Sequence, residues 1–406
     1  MHIPKVLFQA VLVAGALLPW NATAIDRADY TGLPGANKFS GNYTEGLLIK
    51  SLLEVTQGQI QQALDTLDQL LQAAPNFKLA HLVRGDLLMA RAQQLQSFGN
   101  SKGSSPETIE DFREEARMRI ERYLSQQAPN ILPEPLWKLD ASQPHVIVVD
   151  TDKSRLYVYR HENGKPHYVA DYYITIGKNG SEKQAEGDKR TPLGVYFAST
   201  KLSKKLPDFY GEAAYPLNYP NEWDSHQGNK GHGIWLHGTP SSTYSRPPRA
   251  SDGCVVLSNA DLKTLAPILQ KGKTPVIIAN NLQWLADNAS SPQQQQLTEA
   301  LEAWRKDWQA QDTENYLAHY SENFFTQSTN FSTWAKEKRR IQATKTPVEI
   351  KLSNISMFRY PNKQLQMAVV NFEQDYKSNN LDSRISKRQY WVLENQRWKI
   401  MYEGPA

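Results

Sequence analysis

The sequence predicts a multidomain chain: an α-helical N-terminal region, a mainly-β central domain and a C-terminal α+β cone. Three observations predict it. Apolar residues recur at helical spacing up to about residue 95. Between about 141 and 281 they fall into short strand runs. Beyond a polar linker, three helical patterns precede four long strand-like runs. The chain has 406 residues, room for two to four domains at roughly 100–200 residues each. Hydrophobic residues make up 40% and charged residues 22%, a globular composition. The 46 basic and 42 acidic residues are too balanced to make nucleic acid the main partner.

The first 24 residues read as an export signal. Lys5 supplies positive charge, Val6–Leu18 is a short apolar run, and Ala22-Thr23-Ala24 is a small-residue cleavage site. Cleavage after Ala24 would start the mature chain at Ile25 and place it in the periplasm. No later run approaches the roughly 18 apolar residues a span needs, so no membrane span is expected.

Residues 25–43 look irregular, and the helical region is taken as 25–127. Gly58, Ala63, Leu67, Leu70 and Pro75 fall at tetratricopeptide spacing, but one repeat cannot bury its own face, so a small bundle that dimerises the chain fits equally. Pro75 should end a helix, Gly99–Ser105 reads as a flexible link, and Pro106–Ser125 as a further helix. Gln126–Pro135 is Pro-rich and marks a domain boundary, and 128–140 reads as a linker.

Strand runs follow at His145–Val149, Arg155–Tyr159 and Tyr168–Ile176, with Asn163-Gly164 as a hairpin signal. Pro192–Phe197, Gly233–His237, Cys254–Leu257 and Pro275–Ile278 continue the series. Asn259–Leu269 reads as a helix capped by Ser258 or Asn259. Residues 282–294 read as a second linker. From 295 to 406, Leu297, Leu301, Trp304 and Trp308 mark one helix face. Helices about Glu314–Tyr320 and Ser332–Ala343 follow, then strands at 347–358, 364–376, 383–394 and 397–403. This order predicts a curved sheet around the first helix, with the Trp pair in its core and a pocket at its open end.

Cys254 is the single cysteine, so no internal disulfide can form. A nucleophilic thiol needs a nearby base, an orienter for that base, and oxyanion donors. His237 ends an apolar run and is followed by Gly238; seventeen residues further on, Cys254 follows Gly253 and begins another run. Strand ends joined by a long loop can bring the two together, and an imidazole beside a thiol can ionise it near neutral pH.

The pair His237-Gly238 and Ser251-Asp252-Gly253-Cys254 resembles the catalytic core of the L,D-transpeptidases, which have the YkuD-type fold. Lys189-Arg190-Thr191-Pro192-Leu193-Gly194-Val195-Tyr196 resembles a second motif of that family. Many members have His before the Gly-Cys pair, where this chain has Asp252. The layout also resembles the Csd6-like subgroup of cell-shape enzymes, in which the C-terminal domain is like nuclear transport factor 2 (NTF2).

The resemblance implies an acyl-enzyme on Cys254 formed from a peptidoglycan tetrapeptide stem, with His237 as base and the Gly238 carbonyl holding its tautomer. The amides of Gly253 and Cys254 would be the oxyanion hole. D-alanine leaves, and an amine acceptor gives a 3–3 crosslink, whereas water gives a tripeptide, as implied for the subgroup. Candidate substrate contacts are Ser251, Asp252, Arg246, Arg249, Trp235, Tyr215 and Thr191. Trp223 and Tyr244 could line the same groove, and Lys189 and Arg190 are weaker candidates. A non-catalytic wall-binding scaffold is the alternative from another class. His226, His232 and His237, with Asp224, invite a zinc reading, but their spacing matches no common site, so neither metal nor cofactor is expected. Lys336–Arg340 reads as a solvated helix face.

Overall fold

The computed structural model describes residues 40–92, 98–99, 105–125, 131–203, 205–269, 274–286, 291–344 and 347–406. The expected leader, the irregular stretch as far as residue 39, and most of the Gly99–Ser105 link lie outside the described residues.

The N-terminal region holds four described helices: α1 (Ser40–Thr56), α2 (Ile60–Ala73), α3 (Lys78–Met89) and α4 (Pro106–Leu124). Residues 40–43, expected to be irregular, are already helical. In α2 the buried residues Ala63, Leu64, Leu67 and Leu70 form one stripe, and the helix stops before Pro75. Ser105 caps α4: its Oγ accepts from the Thr108 amide at 3.2 Å, and Pro106 opens the helix.

Two short strands follow, β1 (Ile131–Pro133) and β2 (Leu136–Lys138), where a linker was expected. The central sheet is built from β3 (His145–Asp150), β4 (Arg155–Glu162) and β5 (Lys165–Tyr173). The β4–β5 turn is Asn163-Gly164, with φ of 51° and 82°, the left-handed pair a two-residue hairpin requires. Next come β6 (Ile176–Gly177), β7 (Gly194–Phe197), β8 (Ala214–Pro216), α5 (Glu222–His226), β9 (Trp235–His237), β10 (Arg249–Ser251), β11 (Val255–Val256), α6 (Asn259–Leu269), β12 (Pro275–Ala279) and β13 (Trp284–Ala286). Ser258 caps α6, its Oγ accepting from the Asp261 amide at 3.0 Å. The sheet order is β5-β4-β3-β12-β7, with smaller sheets β11-β9-β8 and β10-β6. β12 is parallel to β3, and both are buried along their length, as their continuous apolar runs require.

The C-terminal part holds α7 (Pro292–Gln309), α8 (Thr313–Ala318), β14 (Tyr320–Phe325), α9 (Phe331–Gln342), β15 (Val348–Tyr360), β16 (Met367–Ser378), β17 (Asp382–Glu394) and β18 (Arg397–Pro405). The second helix ends at Ala318, and Tyr320, expected within it, begins the unforeseen strand β14. Trp304 and Trp308 of α7 lie in a core with Trp391 and Trp398 of the sheet, as expected. The sheet order is β14-β18-β17-β16-β15-β2, so a strand from before the central domain completes the C-terminal sheet. β1 pairs antiparallel with β13, joining the two segments read as linkers.

One face of the central sheet packs on the C-terminal sheet: Val146, Val148, Tyr157 and Ile277 share a core with Phe358, Val369, Tyr390 and Val392. Each such side chain contributes about 1.5–3 kcal/mol when buried. Exposed ion pairs contribute about 0–1 kcal/mol, so this apolar seam dominates the joint. The helical region docks through a buried ion cluster: Arg155 meets Glu45 at 2.6 Å and Asp171 at 3.3 Å, and Arg122 meets Asp171 at 2.5 Å. Burial pushes the Glu45 carboxyl up, but Arg155 and Arg119 outweigh it and hold the group at about 2.

Candidate active site

Strands β9 and β11 run parallel, with Leu236 opposite Val255 and His237 opposite Val256. Paired residues in a sheet point to one face, and alternate residues share it. Cys254, two residues before Val256, therefore lies on the face of His237, one step along the strand. The two motifs are thus carried on neighbouring, paired strands.

Both glycines are required. A Cβ on Gly238 would stand 2.0 Å from Asn259 Oδ1. Asn259 fills that space because its Oδ1 accepts from the Glu212 amide at 3.0 Å and its Nδ2 donates to the Thr239 carbonyl at 2.8 Å. Gly253 has φ of +122°, and a Cβ there would meet the Arg190 carbonyl at 2.8 Å.

The thiol sits on a cross-braced turn. Ser251 Oγ donates to the Cys254 carbonyl at 2.7 Å and accepts from the Gly253 amide at 3.1 Å. Thr191 Oγ1 donates to the Gly253 carbonyl at 3.0 Å and accepts from the Gly177 amide at 2.9 Å. Ser251 and Thr191 are buried, and their hydroxyls are engaged inside the turn; they brace the thiol and do not face a groove, contrary to expectation. The expected pair of oxyanion donors is also reduced. The Gly253 amide is occupied by Ser251, whereas the Leu257 amide donates to the His237 carbonyl at 3.0 Å. Alternation along that strand turns the Cys254 amide away from β9.

His237 is 1% exposed, and its Nδ1 lies 2.7 Å from the Gly238 carbonyl. A carbonyl can only accept, so this contact places the proton on Nδ1 and leaves Nε2 as the acceptor. Burial lowers the imidazole to about 4, with Arg246 adding to the shift and the Gly238 carbonyl opposing it. The rings of Tyr210 and Phe209 flank it at 5.2 and 6.1 Å.

The thiol departs from expectation. Burial pushes Cys254 up to about 11; the Trp235 amide opposes this, the Asp252 charge reinforces it, and Arg246 and Lys183 oppose it. Its Sγ donates to the Gly233 carbonyl at 3.2 Å. At neutral pH the site therefore rests as neutral thiol and neutral imidazole, without the ionised thiol expected from the sequence.

Arg246 lies over the Phe209 ring, its guanidinium carbon 4.6 Å from the centroid. Its Nη1 is buried without a hydrogen-bond partner among the described residues. The Phe209 ring beneath it stands 6.1 Å from the His237 ring, which brings the guanidinium to the histidine's side of the site. Trp235 is half-buried beside Tyr210, ring centroids 4.9 Å apart. The other candidates make their contacts elsewhere. Asp252 is exposed and paired with Lys178 at 3.2 Å. Arg249 is exposed on β10, and Tyr215 and Trp223 are buried in cores. Arg190 donates to the Ser181 carbonyl at 3.1 Å, and Lys189 is exposed.

His226 stacks on Phe325 at 3.7 Å and His232 is exposed, so neither joins His237. Among the described residues no group of three or more His, Cys, Asp or Glu is placed to hold a metal ion. Lys338, within the run read as a solvated face, lies 4.2 Å over the Trp334 ring. A cavity of about 440 Å³ lies beside α7, lined by Leu301, Arg305, Ile350 and Leu352, far in sequence from the thiol. Phe209, Tyr210, Gly233 and Lys183 were not found from the sequence; the first two sit on a three-residue 3-10 helix, Asp208–Tyr210, and the others on loops, all too short or irregular for a periodic signal.

Residues 144–278 match the family model of the L,D-transpeptidase catalytic domain (YkuD), and residues 296–404 match that of the Cds6 C-terminal NTF2-like domain. The chain thus carries an L,D-transpeptidase catalytic domain followed by a Cds6-type NTF2-like domain, the domain pair of a peptidoglycan-modifying cell-wall enzyme.

Two solved structures are similar to the chain over about two thirds of its length. Bd1075 of Bdellovibrio bacteriovorus is 28% identical with a TM-score of 0.59, the match covering 68% of this chain and 99% of that one. The helical cell shape determining protein Pgp2 of Campylobacter jejuni is 27% identical with a TM-score of 0.57, covering 70% and 96%. No curated protein matches the chain. Among the described residues no helix is long and apolar enough to cross a membrane.

Proposed function

We propose that this protein is an exported L,D-transpeptidase that forms an acyl-enzyme on Cys254 with peptidoglycan tetrapeptide stems. The observation that carries the reading is the shared face of Cys254 and His237, with Nδ1 tied to the Gly238 carbonyl at 2.7 Å. Because thiol and imidazole rest neutral, His237 works as a general base during attack. Cys254 Sγ leaves the Gly233 carbonyl and bonds to the carbonyl carbon of the third stem residue, and its proton passes to His237 Nε2. The Cys254 amide donates to the oxyanion. Collapse breaks the bond to the terminal D-alanine, whose nitrogen takes the proton from His237. Arg246 Nη1, buried and unpartnered, is matched by the terminal carboxylate of that residue.

An acceptor amine then attacks the thioester, frees the thiol and leaves a 3–3 crosslink. The second reading has water as acceptor, which makes the protein an L,D-carboxypeptidase. It is supported by the joined catalytic and Cds6-type C-terminal domains and by the likeness to Pgp2, and either product would give the protein a part in cell shape. The test is incubation with disaccharide-tetrapeptide and mass analysis of products, with Cys254→Ala alongside. A dimer lacking one D-alanine establishes crosslinking, and tripeptide alone establishes the second reading. No conversion, with the variant indistinguishable, overturns both.

A further inference from the structure

We infer that the helical region belongs to the catalytic unit, with Glu115 of α4 acting through Ser245 to position Arg246 beside the thiol. The inference rests on the reading of Cys254 and Arg246 above.

The segment between His237 and β10 carries Arg246, and the helical region grips it on one side. The Tyr244 amide donates to the Asn76 carbonyl at 3.1 Å, and Asn76 Nδ2 donates to the Ser241 carbonyl at 2.9 Å. The Tyr244 ring packs on Phe77, centroids 4.7 Å apart. These contacts would dock any loop.

Three further contacts act next to and at Arg246 itself. Ser245 Oγ donates to Glu115 Oε1 at 2.6 Å. Glu115 is 1% exposed and is held by Arg119, 2.9 Å away and itself 3% exposed. Arg119 also lies 3.8 Å over the ring of Tyr173, whose hydroxyl donates to the Arg246 carbonyl at 3.0 Å. Thr175 Oγ1 donates to the same carbonyl at 3.0 Å. Ser245 through Glu115, and Arg246 through Tyr173, are thus held by groups that lead back to α4.

A buried carboxylate is costly unless paired and hydrogen-bonded, so a site that keeps one against a loop serine holds that loop tightly. The guanidinium needs this because, among the described residues, its Nη1 has no hydrogen-bond partner. Displacement of a binding group by about 1 Å is enough to cost on the order of a hundredfold in rate. Glu115, Ser245 and Tyr173 are positioning residues: they act through Arg246 and do not touch the reacting atoms.

The experiment compares the full-length protein with Ser245→Ala and Tyr173→Phe in two assays. One is turnover of disaccharide-tetrapeptide, which carries the terminal carboxylate. The other is alkylation of Cys254 by iodoacetamide, which is neutral. Both variants are expected to raise KM about tenfold with kcat within about twofold, leaving the alkylation rate unchanged, and Ser245→Thr is expected to restore KM. Values of kcat/KM within about twofold of wild type in both variants overturn the inference. So does a parallel fall in turnover and alkylation with a lowered Tm, which marks a general loss of structure. If wild type itself fails to turn over tetrapeptide, the reading of the site falls and takes the inference with it. That case is distinguished because the unmodified protein fails.

Discussion

Ser251 Oγ donates to the carbonyl of Cys254 across 2.7 Å, closing the turn that presents the thiol. The same oxygen accepts the Gly253 amide at 3.1 Å, so one buried hydroxyl satisfies both ends of a four-residue turn.

Ser251→Ala would orphan both groups. Leaving a buried donor or acceptor unsatisfied costs about 1–3 kcal/mol, so the variant should unfold at lower urea with an unchanged m value. Its alkylation and turnover should fall together, because the thiol itself loses its seat. Turnover equal to wild type would show that Thr191 alone suffices.

The neutral resting pair fixes a pH profile. With the thiol held near 11 by burial, the thiolate fraction rises about tenfold per pH unit from neutrality to about 10. Iodoacetamide alkylation of the free protein should rise with it. A plateau near pH 7 would reveal a preformed ion pair and refute the neutral assignment.

His237 ties stability to pH in the opposite direction from a paired histidine. Its folded value, about 4, lies below the ordinary 6.5, so on acidification the unfolded chain binds the proton first. The histidine's contribution is complete above pH 6.5 and is lost as pH falls through about 4, amounting to about 3 kcal/mol. The measurement is the urea midpoint of wild type against His237→Gln at pH 7 and pH 4.5. The advantage of wild type should shrink at the lower pH.

Gly238→Ala sets a methyl group 2.0 Å from Asn259 Oδ1. Overpacking of this kind costs about 1–3 kcal/mol, and adding Asn259→Ala should recover part of it. If the double variant is no more stable than Gly238→Ala alone, the side chain of Asn259 is not what demands the glycine.

What was legible follows from what periodicity encodes. Strands such as His145–Asp150 and the Trp304–Trp308 helix face announced themselves because burial imposes a repeat. The proposed pair Cys254 and His237 was legible because a candidate nucleophile, a candidate base and their glycines lie at fixed offsets. The state of the pair was not. Ionisation depends on Gly233, Phe209, Tyr210 and Arg246, which come together only when loops fold. Ser251 and Thr191 read as substrate contacts because a hydroxyl in a motif looks the same whether it faces a ligand or a backbone carbonyl. The strands in residues 131–138 escaped because Pro133 and Pro135 signal a break, and their partners lie at residues 284–286 and 357–358.

That last pairing has a mechanical consequence. The chain enters the central domain beside the strand by which it leaves, Ile131 against Ala286 and Pro133 against Trp284. One turn later it lends Leu136–Lys138 to the far sheet. The crossing works as a buckle. Tension applied at the two entry points loads β1 and β13 in register before it reaches the catalytic strands. A fragment cut at residues 141 and 281 would remove both halves of the buckle and leave the other sheet with a bare edge.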